Sequence, residues 1–229
     1  MYRIDWSGRS LEYSDDEIAT IIDVAKNADP LTQGDYLDEF EHKIEKYLDV
    51  SHAFGLTNAA SALELIAVLS EIGPDDEVII PLHTYCASAI PFGRSKAKII
   101  WADIDPKTFV ISPEDIQRKI TNKTKMVVVV HLYGLVCDMN SIQNLCKSNN
   151  LILVEDCAQS FGAEYNGKKA GSFGDYSCFS LQQQKNITTL GEGGVIVVKD
   201  PVKASLVPGL RHNGHSSYGV REHYWKPSM

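Results

Sequence analysis

Three residues lie where they could serve a single cofactor. Lys185 follows Ser180 by five residues and precedes the glycine-rich run Gly191-Glu192-Gly193-Gly194, and Asp156 ends an apolar run farther upstream. A lysine amine can form an aldimine with an aldehyde, a carboxylate can keep a pyridine nitrogen protonated, and hydroxyl and backbone N–H groups can hold a phosphate dianion. Together these groups meet the requirements of an enzyme that uses pyridoxal 5'-phosphate (PLP).

Each of these residues also has a simpler explanation. An aspartate after a strand more often caps a helix, pairs with a cation or binds a metal, and most lysines are solvated surface residues. The glycines near Lys185 favour the cofactor interpretation, because they let the backbone approach a ligand closely. The side-chain amide of Gln159, three residues after Asp156, could in addition reach a phenolic oxygen.

A candidate phosphate site lies at a predicted helix start. The segment Asn58-Ala59-Ala60-Ser61-Ala62-Leu63 follows a strand-like stretch at residues 53–57. The first N–H groups of a helix have no partner within it, and the helix dipole favours an anion there. An ordinary N-cap at Asn58 or Thr57 explains the same residues equally well. Tyr85, after another predicted strand, could stack on an aromatic ring, although a tyrosine there more often only packs.

Short apolar runs alternate with helical patterns along the chain. Runs that are apolar on both faces favour a mainly parallel sheet covered by helices, so the predicted fold class is α/β. Ser112 and Pro113 give a clear helix start, as N-cap and first helical residue. The predicted strands are 78–80, 98–101, 126–130, 151–154, 176–179 and 195–198, and the predicted helices are 15–28, 35–48, 60–72, 86–94, 113–120 and 139–148. No linker or repeat divides residues 1–229, which we interpret as one domain.

The composition argues against several other classes of function. The 229 residues carry 22 basic and 30 acidic side chains, a formal charge of -8, and no Lys/Arg block, so we expect no nucleic-acid partner. No run reaches the ~18 apolar residues of a membrane span, and we expect a cytoplasmic protein without a membrane partner. The five cysteines lack a Cys-x-x-Cys pair or His ligand spacing, which argues against disulfides and a metal site.

The sequence resembles the sugar aminotransferases of the DegT/DnrJ/EryC1/StrS family, which are fold type I PLP enzymes. The resemblance extends from Thr32-Gln33-Gly34 to Arg211-His212-Asn213-Gly214. The segments that carry it are the helix start at Asn58, Thr84-Tyr85, Val130-His131-Leu132-Tyr133-Gly134 with Asp138-Met139, Glu155-Asp156-Cys157-Ala158-Gln159-Ser160, and residues 180–194.

The resemblance implies a role for each candidate residue. Lys185 is expected to form the internal aldimine, Asp156 to pair with the pyridinium nitrogen, Gln159 to contact the phenolic oxygen and Tyr85 to stack on the ring. An amino donor, usually glutamate, converts PLP to its pyridoxamine form, and a keto-sugar then takes the amine while Lys185 moves protons. The family also implies a homodimer, because its active sites lie at a subunit interface.

The expected phosphate ligands depart from the family pattern. The resemblance implies that Ser180 binds the phosphate with the amides of Ala59 and Ala60. Family members usually have Asn-Gly-Thr at this helix start, whereas Asn58 is followed here by two alanines. A hydroxyl ligand is therefore missing unless Ser61 supplies it.

The substrate and the length of the chain leave alternatives open. The resemblance favours a nucleotide-linked keto-deoxysugar from surface-polysaccharide or amino-sugar biosynthesis. However, Leu181-Gln182 replaces an aromatic residue and His found in many such members, and a cyclitol or keto-inositol aminotransferase is the alternative. Family members continue through a small C-terminal domain, which we expect to be missing from this chain. A truncated, non-catalytic PLP-binding remnant or assembly partner therefore also stays open.

Overall fold

Seven strands form one sheet in the computed structural model, which describes residues 13–214. Their spatial order is β1-β9-β8-β5-β4-β2-β3, and β6 and β7 form a separate hairpin. β9 alone runs opposite to the other six strands of this sheet, so the sheet is mainly parallel, as predicted. The strands are β1 (Ala53–Leu56), β2 (Glu77–Pro81), β3 (Lys98–Ala102), β4 (Thr124–Val130), β5 (Ile152–Asp156), β6 (Glu164–Tyr165), β7 (Lys168–Lys169), β8 (Tyr176–Ser180) and β9 (Gly194–Val198).

Helices cover both faces of this sheet. Several of them start at a side-chain cap: Ser14 and Glu17 form a capping box, and the Ser112 hydroxyl accepts from the Asp115 N–H at 3.2 Å. The helices are α1 (Asp15–Asn27), α2 (Asp35–Leu48), α3 (Ala59–Leu69), α4 (Ile90–Arg94), α5 (Pro113–Lys119), α6 (Met139–Asn149), α7 (Pro201–Ala204) and α8 (Val207–Arg211), with 3-10 turns at Cys86–Ser88 and Leu132–Gly134. None of these described helices is both long and apolar enough to cross a membrane.

The side chains of each central strand point alternately into two hydrophobic layers. Val78 and Ile80 of β2 pack in the layer beneath α3 and α4, whereas Ile79 between them packs in the layer beneath α5 and α6. Because successive side chains of a strand point to opposite faces, a sheet covered on both sides needs apolar residues at every position. This requirement explains the unbroken apolar runs in the sequence.

Most predicted boundaries lie within two residues of the observed ones, but two helices differ by more. The helix predicted at 86–94 is a 3-10 turn followed by α4, because Pro91 has no N–H and its ring conflicts with the carbonyl of residue 87. The helix predicted at 60–72 ends at Leu69, since Glu71 adopts a left-handed conformation with φ of 52°. From the sequence, the polar stretch at residues 211–229 is expected to lack a closing helix or strand, and most of it lies outside the described residues, which end at Gly214.

A buried carboxylate ties two segments, residues 171–174 and His131, to β5. Glu155 is fully buried, and its Oε1 accepts from the backbone N–H groups of Phe173 and Gly174, both at 2.7 Å. Its Oε2 accepts from the Gly171 N–H at 2.8 Å and lies 2.9 Å from His131 Nε2. Four hydrogen bonds thus satisfy a charge that would be very costly to bury alone.

The same network argues against a metal at this position. The donor atoms of His131, Glu155 and Cys157 lie within 4.8 Å of one another. However, His131 Nδ1 accepts from the Cys137 N–H at 3.2 Å, so Nε2 carries the proton and donates to Glu155. Burial raises the pKa of the Cys157 thiol to about 12, which keeps it protonated. Both ring nitrogens of His131 and both oxygens of Glu155 are therefore already engaged in hydrogen bonds, and Cys157 is a protonated thiol.

We expect Glu155→Gln to lower the free energy of unfolding by about 3 kcal/mol, because an amide group would then face buried N–H donors. Urea unfolding followed by circular dichroism measures the change. Glu164→Gln is the matched control, since the Glu164 carboxylate contacts Lys169 at the surface. Equal stability of the two variants would contradict the assigned importance of the network.

Candidate functional site

A cavity of about 500 Å³ opens where the parallel strands end. Ligands of open α/β sheets gather at this carboxyl edge, and small-molecule sites usually occupy roughly 300–1,000 Å³. Seven of the eight residues predicted from sequence line the cavity, namely Ala59, Ala60, Tyr85, Asp156, Gln159, Ser180 and Lys185. The eighth, Ser61, lines a neighbouring cavity of about 830 Å³.

Asp156 is the last residue of β5 and is 5% exposed. Its Oδ2 accepts from the Ser88 hydroxyl at 2.6 Å, and its Oδ1 accepts from the Ala158 N–H at 3.0 Å. Ser88 Oγ also lies 2.8 Å from Thr84 Oγ1. The carboxylate is therefore held at both oxygens by the protein.

Sequence reasoning missed Ser88. It lies in the 3-10 turn after β2, and its partner Asp156 is 68 residues farther along the chain. A serine three residues after Tyr85 has no distinctive type or spacing. The only sequence signal is its place beyond a strand end, where side chains from neighbouring strands converge.

The start of α3 is capped by Asn58 and also presents two backbone N–H groups to the cavity. Asn58 is the N-cap, and its Oδ1 accepts from the Ser61 N–H at 2.8 Å. The cap leaves the N–H groups of Ala59 and Ala60 without an acceptor among residues 13–214. The Ser61 hydroxyl lies 3.1 Å from Thr57 Oγ1. Two free amides at the positive end of a helix thus line the cavity.

A glycine fixes the position of this helix start. A Cβ on Gly194, the first residue of β9, would lie 2.3 Å from the Asn58 carbonyl carbon and 2.7 Å from the Ala59 nitrogen. Side chains larger than hydrogen are therefore excluded. The glycine run was expected to let backbone approach a ligand, whereas the close approach at Gly194 is to the backbone of α3.

Lys185 lies in the loop that joins β8 to β9. The Leu181 N–H donates to the Gly193 carbonyl at 2.8 Å, which closes the base of the loop, and the Lys185 N–H donates to the Gln182 carbonyl at 2.8 Å in a tight turn. Lys185 is half-buried, and Ser180, the last residue of β8, is buried. The antiparallel pairing of β8 with β9 thus returns the chain across the carboxyl edge and brings Lys185 into the cavity lining.

Gln159 and Tyr85 complete the set of predicted residues. Gln159 Oε1 accepts from the backbone N–H of Tyr133 at 2.9 Å, which leaves the Nε2 end of the amide as a donor. Tyr133 adopts the left-handed conformation, with φ of 56°. Tyr85 is 72% exposed, so one face of its ring is available to a ligand.

The chain is similar in sequence to several named proteins. GDP-perosamine synthase of Escherichia coli O157:H7 is 42% identical over 194 residues, which are 85% of this chain and 52% of that protein. L-glutamine:2-deoxy-scyllo-inosose aminotransferase of Streptomyces kanamyceticus is 38% identical over 175 residues, which are 76% of this chain and 41% of that protein. The chain spans about half the length of the curated relatives it matches.

Solved structures confirm the predicted fold type. The aminotransferase from Psychrobacter cryohalolentis superposes with a TM-score of 0.87 and 31% identity, over 98% of this chain and 57% of that one. NtdA of Bacillus subtilis, solved with its cofactor PMP, gives a TM-score of 0.76 and 29% identity, over 84% of this chain and 44% of that one. These likenesses support pyridoxal phosphate as the cofactor. A model of the DegT/DnrJ/EryC1/StrS aminotransferase family matches residues 12–228, and the chain therefore belongs to this family.

Proposed function

We propose that residues 1–229 form the PLP-binding large domain of a keto-sugar aminotransferase. The observation that carries this proposal is the convergence of Lys185, Asp156 and the two free amides of α3 on one cavity. A lysine amine, a buried carboxylate and an anion seat are the groups that PLP requires. Their convergence in a member of an aminotransferase family supports a binding site rather than unrelated surface features.

The donor set fits the phosphate end of the cofactor. The Ala59 and Ala60 N–H groups and the Ser180 hydroxyl supply donors for a phosphate dianion. The Ser61 N–H already donates to Asn58, and the Ser61 side chain lines the neighbouring cavity. We therefore assign phosphate binding to the amides of Ala59 and Ala60 and to the Ser180 hydroxyl. A role for Ser61 is supported by its sequence position alone.

The donor set also fits the ring. Asp156 can accept a hydrogen bond from a protonated pyridine nitrogen, and Gln159 Nε2 can donate to the phenolic oxygen. The exposed ring of Tyr85 supplies a stacking surface. When bound, PLP supplies an electron sink that stabilises negative charge on the carbon next to the amine nitrogen. Lys185 holds the cofactor and then moves the proton at that carbon.

We propose a nucleotide-linked keto-deoxysugar as the amine acceptor and glutamate as the donor. The name of the GDP-perosamine synthase relative supports a nucleotide sugar. A keto-inositol acceptor is the second candidate, because the inosose aminotransferase is also similar and Gln182 lines the cavity here. Substrate profiling with both acceptor classes separates the two. The homodimer and the cytoplasmic location stay predictions.

The first test is the absorbance spectrum of the 229-residue chain with PLP and then with excess glutamate. We expect a protein-bound cofactor band that glutamate converts to the pyridoxamine form. A band that glutamate leaves unchanged would instead support the non-catalytic PLP-binding protein. Absence of any bound cofactor would contradict the proposed function.

We expect Lys185→Ala to abolish the covalent adduct that borohydride traps between protein and PLP, because among residues 13–214 Lys185 is the one lysine that lines the cavity. Peptide mapping by mass spectrometry after reduction checks this result. Lys147→Ala, at an exposed site in α6, is the control and should leave the adduct unchanged. A trapped adduct on a different lysine of Lys185→Ala would rule out the assigned role.

We expect Asp156→Asn to bind PLP more weakly and to slow the glutamate-driven conversion by roughly 10²-fold, because a neutral amide no longer holds the ring nitrogen protonated. Stopped-flow absorbance measures the rate. Asp75→Asn, at an exposed position before β2, should react like the unaltered chain. Unchanged kinetics in Asp156→Asn would remove the assignment.

We expect Gly194→Ala to raise the dissociation constant for PLP by about tenfold or more, since the new methyl group would displace the start of α3 and its two free amides. Fluorescence titration with PLP measures the affinity. Gly73→Ala is the matched control, because a Cβ there meets no atom within 4 Å. Equal affinity in the two variants would show that the helix start does not bind the phosphate.

A further inference from the structure

We propose that Ser88 is a positioning residue for Asp156 and that Thr84 in turn orients Ser88. This inference rests on the proposed function, because it concerns how the chain presents a carboxylate to the cofactor. Ser88 is 1% exposed, and its hydroxyl lies 2.6 Å from Asp156 Oδ2. A buried serine at this distance from a carboxylate has no solvent to compete for its proton.

The number of hydroxyl protons determines which group donates in the two hydrogen bonds of Ser88. An ionised carboxylate only accepts, so the single hydroxyl proton of Ser88 is used on Asp156. The contact of 2.8 Å between Thr84 Oγ1 and Ser88 Oγ therefore has Thr84 as the donor. The three side chains form a relay in which Thr84 fixes the Ser88 hydroxyl and Ser88 fixes one carboxylate oxygen.

The second oxygen is fixed as well. Asp156 Oδ1 accepts from the Ala158 N–H at 3.0 Å. The terminal torsion of an aspartate is otherwise broad, so one donor on each oxygen selects one plane for the carboxylate. Each oxygen keeps acceptor capacity for a ligand.

The relay joins separate parts of the site. Ser88 and Thr84 flank Tyr85 in the segment after β2, whereas Asp156 ends β5, and β4 lies between these strands in the sheet. One hydrogen bond therefore couples the segment that carries the proposed stacking residue to the proposed partner of the ring nitrogen. Loss of the Ser88 hydroxyl should change the protonation of the ring nitrogen without freeing Asp156 completely, because the Ala158 N–H still donates to its other oxygen.

The test is the ¹⁵N chemical shift of the pyridine nitrogen in complexes with ¹⁵N-labelled PLP, which reports whether the ring is protonated. We expect a protonated nitrogen in the unaltered chain and a shift toward the unprotonated value in Ser88→Ala, as the proton moves to a less stabilised carboxylate. The dissociation constant for PLP should rise about tenfold. Ser88→Thr, which keeps the hydroxyl, should restore the protonated shift. Ser95→Ala is the control, since its hydroxyl donates to the Pro91 carbonyl at 3.2 Å.

The outcomes separate this inference from the proposed function. If the unaltered chain binds no PLP, both fail. If it binds PLP and Ser88→Ala gives an unshifted nitrogen, the relay is overturned while the proposed function stands. Thr84→Val covers the case in which Ser88→Ala does not fold, because it removes only the donor to Ser88. A smaller shift in the same direction supports the relay, and an unshifted nitrogen in that variant overturns it.

Discussion

The buried carboxylate of Glu155 determines how the carboxyl edge of the sheet is built. It accepts four hydrogen bonds on the face of β5 that packs beneath α5 and α6. Because adjacent residues of a strand point to opposite faces, fixing Glu155 on one face places Asp156 on the other, beside Ser88 and the start of α3. A shift of one residue in the register of β5 would exchange two carboxylates with different environments. The scaffold and the site therefore depend on the same short stretch of backbone.

In the described residues, the strands form the scaffold and the short connections carry the polar groups of the site. The strands are apolar on both faces and set the spacing of the cavity walls, whereas the polar groups of the site stand at their ends or just beyond. Each of these groups is supported by a neighbour: Asn58 caps α3, and the Tyr133 N–H orients Gln159. Preorganised donors of this kind need little rearrangement when a charged ligand arrives.

The sequence predicted the strands and the main helices because apolar periodicity and capping residues are local signals. It also placed Lys185 and Asp156 in one site. It could not predict the Ser88 contact, since a hydrogen bond between residues 68 positions apart depends on tertiary structure. The direction of β9 was equally inaccessible, because an apolar run reads the same in a parallel and an antiparallel strand. For Ser61, the neighbouring Thr57 hydroxyl supplied a local partner that sequence spacing does not reveal.

The antiparallel direction of β9 has a consequence for how such a site can change. A connection between parallel strands must run back along the length of a strand to reach the start of the next one. The scaffold therefore sets a minimum length for it. The β8–β9 connection instead leaves and re-enters the sheet at the same edge, held at its base by Leu181 and Gly193. Residues between these two positions can be inserted or exchanged without altering strand order, provided that Lys185 keeps its place in the cavity and Ile187 its packing against the core. The surface over the cavity can thus differ among relatives while the sheet beneath it stays the same.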